Sequence, residues 1–196
     1  DRQLSALDEI ELRPAFNVRT IDTDPIAEAA ARCADYGAIL EVNAHCRQEE
    51  MCAVGAGESL LRNEARLCDL VAAAAATDAT GSVKLRTEVD GVDLPRLSAA
   101  LVGSGADVLH VDSMDSEPII AEIAASAPDA FVIANNGVRD RNTALEYLEY
   151  GADAVSVGRP SDDPDVLRRV LAAVEEWFDG GESAGGEADP GVTTDA

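Results

Sequence analysis

The chain has a single lysine, Lys84, and otherwise relies on arginine for positive charge. Lysine and arginine together number 15 against 38 aspartates and glutamates, a formal net charge of -23. Aromatic residues make up 4% of the sequence. Nucleic-acid faces draw most of their affinity from basic side chains on phosphates and from stacking on aromatic rings, so both shortages argue against an ordinary interface of that kind. The acids are spread along the chain rather than gathered in one block. That distribution suits a surface built to stay hydrated at high salt, as in proteins of halophiles, where screening suppresses self-repulsion. No apolar run approaches the roughly 20 residues that a helix needs to span a bilayer. The four cysteines, Cys33, Cys46, Cys52 and Cys68, form no CxxC pair, which points to reduced thiols in a cytoplasmic protein rather than to disulfides. Neither a signal peptide nor an initiator methionine opens the sequence, so a processed or truncated product is expected.

What the sequence does have is alternation. From Pro14 onward, short stretches rich in β-branched residues alternate with longer alanine-rich segments of helical period, the pattern of repeated βα units. Strands are expected at 15–19, 38–43, 82–86, 107–112, 130–135 and 154–158, and helices near 25–36, 58–76, 94–103, 116–126, 141–150 and 163–178. Asp24-Pro25 and Asp163-Pro164 each offer an N-cap and a first-turn proline. Gly37, Gly105 and Gly151 follow three helices as C-terminal caps. Residues 1–178 are therefore expected to form one α/β domain. Residues 179–196 are acidic and lack apolar periodicity, and a disordered tail is expected there.

Six βα units suit either a doubly wound open sheet or part of an eight-stranded barrel. No GxGxxG follows the first strand, which lowers the dinucleotide-binding reading. Polar residues gather instead at the carboxyl ends of strands, where a (β/α) barrel keeps its active site: Asn43, Lys84 with Arg86, His110 with Asp112, Asn135, Gly158. Strand parity puts Ser82, Lys84 and Arg86 on one face and Val83 and Leu85 on the other. Lys84 then points into the barrel with Glu41, Asn43, His110, Asp112, Ser156 and Gly158.

Two regions carry candidate chemistry. The loop EVNAHCRQEEMCAVGAGESLLR places Cys46 just beyond a strand end, where a thiol can serve as nucleophile or proton donor, whereas Cys33 and Cys68 on helices read as buried fillers. His45, Cys46 and Cys52 lack a fourth ligand and regular spacing, so no metal site is expected. IANNGV and SVGRP end the last two strands with glycines near helix starts, and with Arg159 they form a candidate phosphate cradle. A Schiff-base lyase using Lys84 beside that cradle is a further reading of the same residues, and so is a non-catalytic scaffold.

The run EVNAHCR followed by GAGESLLRN resembles the dihydrouridine synthase pattern of Asn-x-x-Cys and then Gly-x-x-Leu-Leu-Arg, and SVKLR resembles that family's Val-Lys-Ile-Arg strand. The likeness continues through SGADVLHVD, IANNGV and AVSVGRP, from Pro14 to about Pro160, and extends to shorter archaeal barrel proteins related to dihydrouridine synthase and dihydroorotate dehydrogenase. It implies a (β/α)8 TIM barrel of the FMN-linked oxidoreductase type, reducing the C5–C6 bond of uridine in tRNA with NADPH. A free pyrimidine such as dihydroorotate is the alternative substrate. By this resemblance Cys46 and Lys84 are catalytic, Cys46 as the acid that protonates the uracil ring and Lys84 at the flavin edge. Asn43, Lys84, His110, Asp112, Asn135, Gly137, Gly158 and Arg159 would bind the cofactor. The chain departs from the family at Arg19, Arg47 and Asp112, where synthases carry glutamine, proline and histidine, and His110 is the candidate to stand in for that histidine. By the same resemblance, this sequence is expected to lack the first two βα units and the tRNA-gripping helical domain of the family pattern. Six units cannot close a barrel, so lost N-terminal units, or a partner such as a second copy covering the sheet edges, are expected.

Overall fold

The computed structural model describes residues 12–183. Six strands form one parallel sheet: β1 (Ala15–Val18), β2 (Ile39–Asn43), β3 (Thr80–Arg86), β4 (Val108–Asp112), β5 (Phe131–Asn135) and β6 (Ala154–Ser156), in the order β1-β2-β3-β4-β5-β6. The helices are α1 (Thr23–Asp35), α2 (Glu49–Ala53), α3 (Glu64–Ala75), α4 (Leu94–Gly103), α5 (Ile119–Ser126), α6 (Arg141–Glu149) and α7 (Pro164–Ser183), with 3-10 turns at Gly57–Arg62 and Arg159–Asp162. Crossovers between parallel strands are right-handed, so a strictly sequential order throws every connecting helix onto the same face of the sheet. A doubly wound sheet needs a reversal of order at its switch point, and none occurs here. The architecture is that of consecutive units of a (β/α)8 barrel, with β1 and β6 as the sheet edges among the described residues.

Strand alternation sorts the side chains as parity dictates. Leu40, Val42, Val83, Leu85, Leu109, Val111, Val132 and Ala134 are buried on the helix side. They pack against Ile26, Leu67, Leu70, Leu97, Leu101, Ile120 and Ile123 in one continuous core. Burying each such aliphatic side chain contributes roughly 1.5–3 kcal/mol before entropy is counted, so the core fixes which face of every strand meets the helices. The other face is thereby left to polar residues.

Element boundaries follow capping chemistry. Gly37, Gly105 and Gly151 follow α1, α4 and α6 with φ of 61°, 103° and 90°, and a Cβ on Gly105 would stand 2.5 Å from the Cβ of Ala75. Asp163-Pro164 opens α7 as expected. Asp24-Pro25 does not open α1: the helix begins two residues earlier, at Thr23, and Asp22 holds the N-cap position without a side-chain cap bond. The single helix expected over 58–76 is split, because the Asn63 side chain accepts a hydrogen bond from the Arg66 amide and starts α3 afresh. Helix α2 in the β2 loop is unforeseen. Helix α7 runs past Phe178 to Ser183, and the rest of the expected acidic tail lies outside the described residues. Among the described residues no helix is long and apolar enough to cross a membrane.

Candidate active site

Parallel register stacks the polar face into tiers. Asn17, Glu41 and Ser82 lie abreast on β1, β2 and β3; Asn43, Lys84 and His110 lie abreast one step nearer the carboxyl ends; Arg86, Asp112, Asn135 and Ser156 form the rim. The lower tiers are stitched together. Glu41 accepts from Asn17 Nδ2 at 2.7 Å through Oε1, and from Ser82 Oγ at 3.2 Å and His110 Nδ1 at 2.8 Å through Oε2. Burial pushes the Glu41 carboxyl up, but the His110 and Asn17 hydrogen bonds, with the charges of His110 and Lys84, outweigh it and hold the group below its ordinary value. Lys84 Nζ lies 3.5 Å from His110 Nε2.

The loop after β2 is organised by Asn43. Its Oδ1 accepts from the amides of His45 at 3.1 Å and Cys46 at 2.9 Å, while Nδ2 donates to Asn17 Oδ1 at 2.8 Å. The Cys46 carbonyl accepts from the Glu58 amide at 2.9 Å. Gly57 makes that approach feasible: its φ is 62°, and an added Cβ would fall 2.3 Å from the Cys46 carbonyl oxygen. Gly57→Ala should therefore displace the Cys46 loop and cost roughly 1–3 kcal/mol. A urea melt, with the rate of Cys46 alkylation as a local probe, checks this; an unchanged melt and rate would contradict it. The Cys46 thiol donates to Gln48 Oε1 at 3.5 Å, and the same oxygen accepts from Arg19 Nη1 at 2.9 Å. All four cysteines are free thiols. Cys33 is buried, and burial pushes its thiol up. No group of three or more His, Cys, Asp or Glu among the described residues could hold a metal ion.

The chain has two histidines, and each faces a carboxylate. His45 Nε2 lies 2.6 Å from Asp112 Oδ2 at the rim, and His110 pairs with Glu41 in the tiers below. His110, the candidate to stand in for the family's histidine, lies one tier below the rim, and it is His45, from the β2 loop, that stands beside Asp112. Burial pushes the Asp112 carboxyl up, yet the hydrogen bond and charge of His45, the Met114 amide and the charge of Arg86 bring it below the usual range. A carboxyl whose folded value is depressed binds fewer protons in the folded state, so its stabilisation is present above the unfolded value and is lost as pH falls through the folded one. Asp112→Asn should accordingly cost stability near pH 7, and that cost should shrink as pH falls through the depressed folded-state value. Denaturant melts across that range test it, and an equal loss at both ends would contradict the assignment.

Between the ends of β4, β5 and β6 opens a cavity of about 560 Å³, lined by His45, Asp112, Asn135, Asn136, Gly137, Val138, Arg139, Gly158, Arg159 and Pro160. Of the expected site residues, Asp112, Asn135, Gly137, Gly158 and Arg159 meet there; Asn43, Cys46, Lys84 and His110 do not line it. The cavity floor is held in an unusual backbone shape. Asn136 has φ 108° and Gly137 φ 67°, and Asn136 is tied by its Nδ2 to the Met114 carbonyl at 2.7 Å and by its carbonyl to the Tyr147 hydroxyl at 2.9 Å. Burial, as the largest influence, pushes Tyr147 up to about 12, so it stays a neutral donor. The starts of α6 and α7 carry side-chain caps, as Asp140 Oδ1 accepts the Thr143 amide at 2.9 Å and Asp163 Oδ1 accepts the Asp165 amide at 2.8 Å, whereas the 3-10 turn that follows Gly158 has none. The cradle rests on the glycine segments and on Arg139 and Arg159. Sequence reading missed His45 as a rim residue, along with Arg139, Asn136 and Tyr147. Of these, His45 lies between Asn43 and Cys46 and Asn136 within IANNGV, whereas Arg139 and Tyr147 carry no such signal.

The dihydrouridine synthase (Dus) family model matches residues 5–180. The chain belongs to the dihydrouridine synthase family. It is 30% identical over 175 residues to an uncharacterized protein of Methanocaldococcus jannaschii, covering 84% of this chain and 62% of that one. It is 30% identical over 173 residues to tRNA-dihydrouridine synthase B of Pseudomonas aeruginosa, covering 79% of this chain and 51% of that one. This dihydrouridine synthase homologue thus spans between 51% and 62% of the length of these two relatives. Among solved structures, DHODH from Eimeria tenella superposes with a TM-score of 0.69 at 15% identity, covering 92% of this chain and 66% of that one. A mandelate oxidase superposes with a TM-score of 0.62 at 18% identity, covering 92% and 61%. Both likenesses bear on the fold, that of the TIM barrel.

Proposed function

We propose that the protein is an FMN-dependent oxidoreductase that reduces the C5–C6 double bond of uridine in tRNA, taking electrons from NADPH. The observation that carries the reading is the rim cavity. In a chain of net charge -23, its lining brings Arg139 and Arg159 together, while the lining carboxylate, Asp112, is engaged by His45 at 2.6 Å; Arg139 Nη1 donates to the Gly137 carbonyl at 2.8 Å and its Nε lies 4.0 Å from Asp140 Oδ2. An anionic group finds two guanidinium side chains there. The residues fit a phosphate: where a Cβ on Gly158 would stand, only the Asn135 Oδ1 lies near, at 3.8 Å, so the cavity wall is open for close backbone approach. Gly137 Cα faces a similar gap, with Arg139 Nη1 at 3.6 Å from its added Cβ.

In this reading Gly137, Gly158, Asn135 and Arg159 hold the FMN phosphate, and Arg139 adds a second cation. Bound FMN supplies hydride transfer. Lys84 presents the one ammonium of the polar face, a fixed positive charge for a ligand edge that becomes negative. Asn43 fixes the β2 loop, and Cys46 carries at Sγ the proton for the substrate. His45, oriented by Asp112, together with Asn135 completes the rim. The four free thiols accord with a cytoplasmic setting, and the charge with a high-salt one.

The same charge favours a second substrate reading. Acids outnumber bases by more than two to one, so a small free pyrimidine meets less repulsion than polyanionic tRNA. The two separate in one experiment: load the protein with FMN in high salt, reduce it anaerobically with NADPH, and mix it with unmodified tRNA transcript, uracil or orotate. Reoxidation by the transcript, with dihydrouridine formed, supports the first reading, and reoxidation by the free base supports the second. No reduction by NADPH and no reoxidation by any of the three would reject both.

A further inference from the structure

The polar face holds one more arrangement whose chemistry follows from hydrogen-bond bookkeeping. Glu41 is 8% exposed, and its carboxylate is an acceptor for three side chains. One of them is His110 Nδ1 at 2.8 Å, so the proton of neutral His110 resides on Nδ1 and Nε2 is left with a lone pair. That nitrogen faces Lys84 Nζ at 3.5 Å. An ammonium has only donors, and a doubly protonated imidazole also has only donors. The contact is satisfied only when one proton lies between the two nitrogens.

We infer that Lys84 and His110 share one proton, and that Glu41 anchors the pair. Two forms are then available: ammonium beside neutral imidazole, or free amine beside an imidazolium held by the Glu41 carboxylate. Moving between them breaks one N–H bond and forms another, with no proton drawn from solvent. The other charged groups on this face are committed elsewhere. Arg86 Nη1 lies 3.3 Å from Glu58 Oε2, and Asp112 pairs with His45 at 2.6 Å. Asn17 and Ser82, which hydrogen-bond Glu41, and Asn43, abreast of Lys84, are neutral. The consequence for the site rests on the flavin reading above: a ligand edge that gains negative charge over Lys84 holds the shared proton on Nζ, with the neutral His110 as its acceptor. Glu41 and His110 are on this account positioning residues.

The single lysine makes the relay directly observable. In the full chain without ligand, lysine labelled with carbon-13 at Cε gives one side-chain signal, and labelled histidines give two sets, assigned with His45→Gln. The Lys84 signal should move in step with His110 as pH is varied, and that step should be lost in His110→Gln and displaced in Glu41→Gln. A lysine signal that stays flat while His110 titrates would overturn the sharing. Should either variant fail to fold, nitrogen-15 shifts of the wild-type histidines decide: His110 protonated on Nδ1 is expected, and the Nε2 tautomer would overturn the relay. FMN affinity is measured separately, so a protein that shows the relay yet takes up no FMN refutes the flavin reading and leaves this one standing.

Discussion

Replacing Lys84 with methionine should lower turnover of the FMN-loaded protein by on the order of 10²–10³-fold, the usual loss when one preorganised charge is removed from a reaction centre. Lys84 is half-buried on β3, abreast of Asn43 and His110, and no other lysine exists to replace it. Methionine keeps the length and apolar stem while deleting the charge, so the core beneath, Val83 and Leu85, has no reason to move. The melting temperature should stay within a few degrees of wild type. Lys84→Arg should rescue poorly, because a planar guanidinium spreads its charge and needs room that a compact ammonium does not. Steady-state kinetics and FMN titration on all three proteins provide the check. Turnover of the methionine variant equal to wild type would remove Lys84 from the chemistry.

A second large effect is expected in stability. Arg86 is 5% exposed, and its guanidinium faces Glu58 Oε2 at 3.3 Å; its Nε donates to the Thr87 carbonyl at 3.4 Å. Glu58→Ala leaves this buried cation without its carboxylate, for which about 3 kcal/mol is the expected loss, at the lower end of the range for broken buried pairs because Glu58 is itself partly exposed. The negative charge of Asp112, the neighbour of Arg86 on β4, tempers the loss. Adding Arg86→Met to Glu58→Ala removes the stranded charge and should recover most of the stability. A double-mutant cycle in urea measures both steps. A loss below about 1 kcal/mol for Glu58→Ala would show that the pair behaves as a surface ion pair.

The fold was legible because its signals are local and repeated. All six strands stand where β-branched runs marked them, and parity assigned Glu41, Lys84 and His110 to the polar face because the side-chain period of a strand is two. The choice between barrel and doubly wound sheet was not legible by periodicity alone, since both consist of βα units; it turned on strand order, which long-range packing sets. The helix over 58–76 was misread for a local reason: the apolar period runs through Asn63, and only its cap bond to Arg66 breaks the helix there. The candidate residues were legible, but their partnerships were not. Asn135, Gly137, Gly158 and Arg159 announce themselves by motif, and the structure gathers them with Asp112 around one cavity. His45 and Asp112 are 67 residues apart, and nothing in either stretch says that they meet. The same holds for His110 and Glu41, whose contact depends on β2 and β4 flanking β3 in register.

The central claim is that the rim cavity between β4, β5 and β6 holds FMN, and equilibrium titration of the purified protein with FMN in molar salt tests it most directly. Saturable uptake is predicted, with one FMN per chain, quenched flavin fluorescence and a shifted visible spectrum, and affinity should fall at least about tenfold when the Arg159 cation is removed in Arg159→Ala, as for loss of a charge-assisted contact. A protein that takes up no FMN at any salt concentration, or binds it equally well without Arg159 and with Gly158→Val, would contradict the assignment.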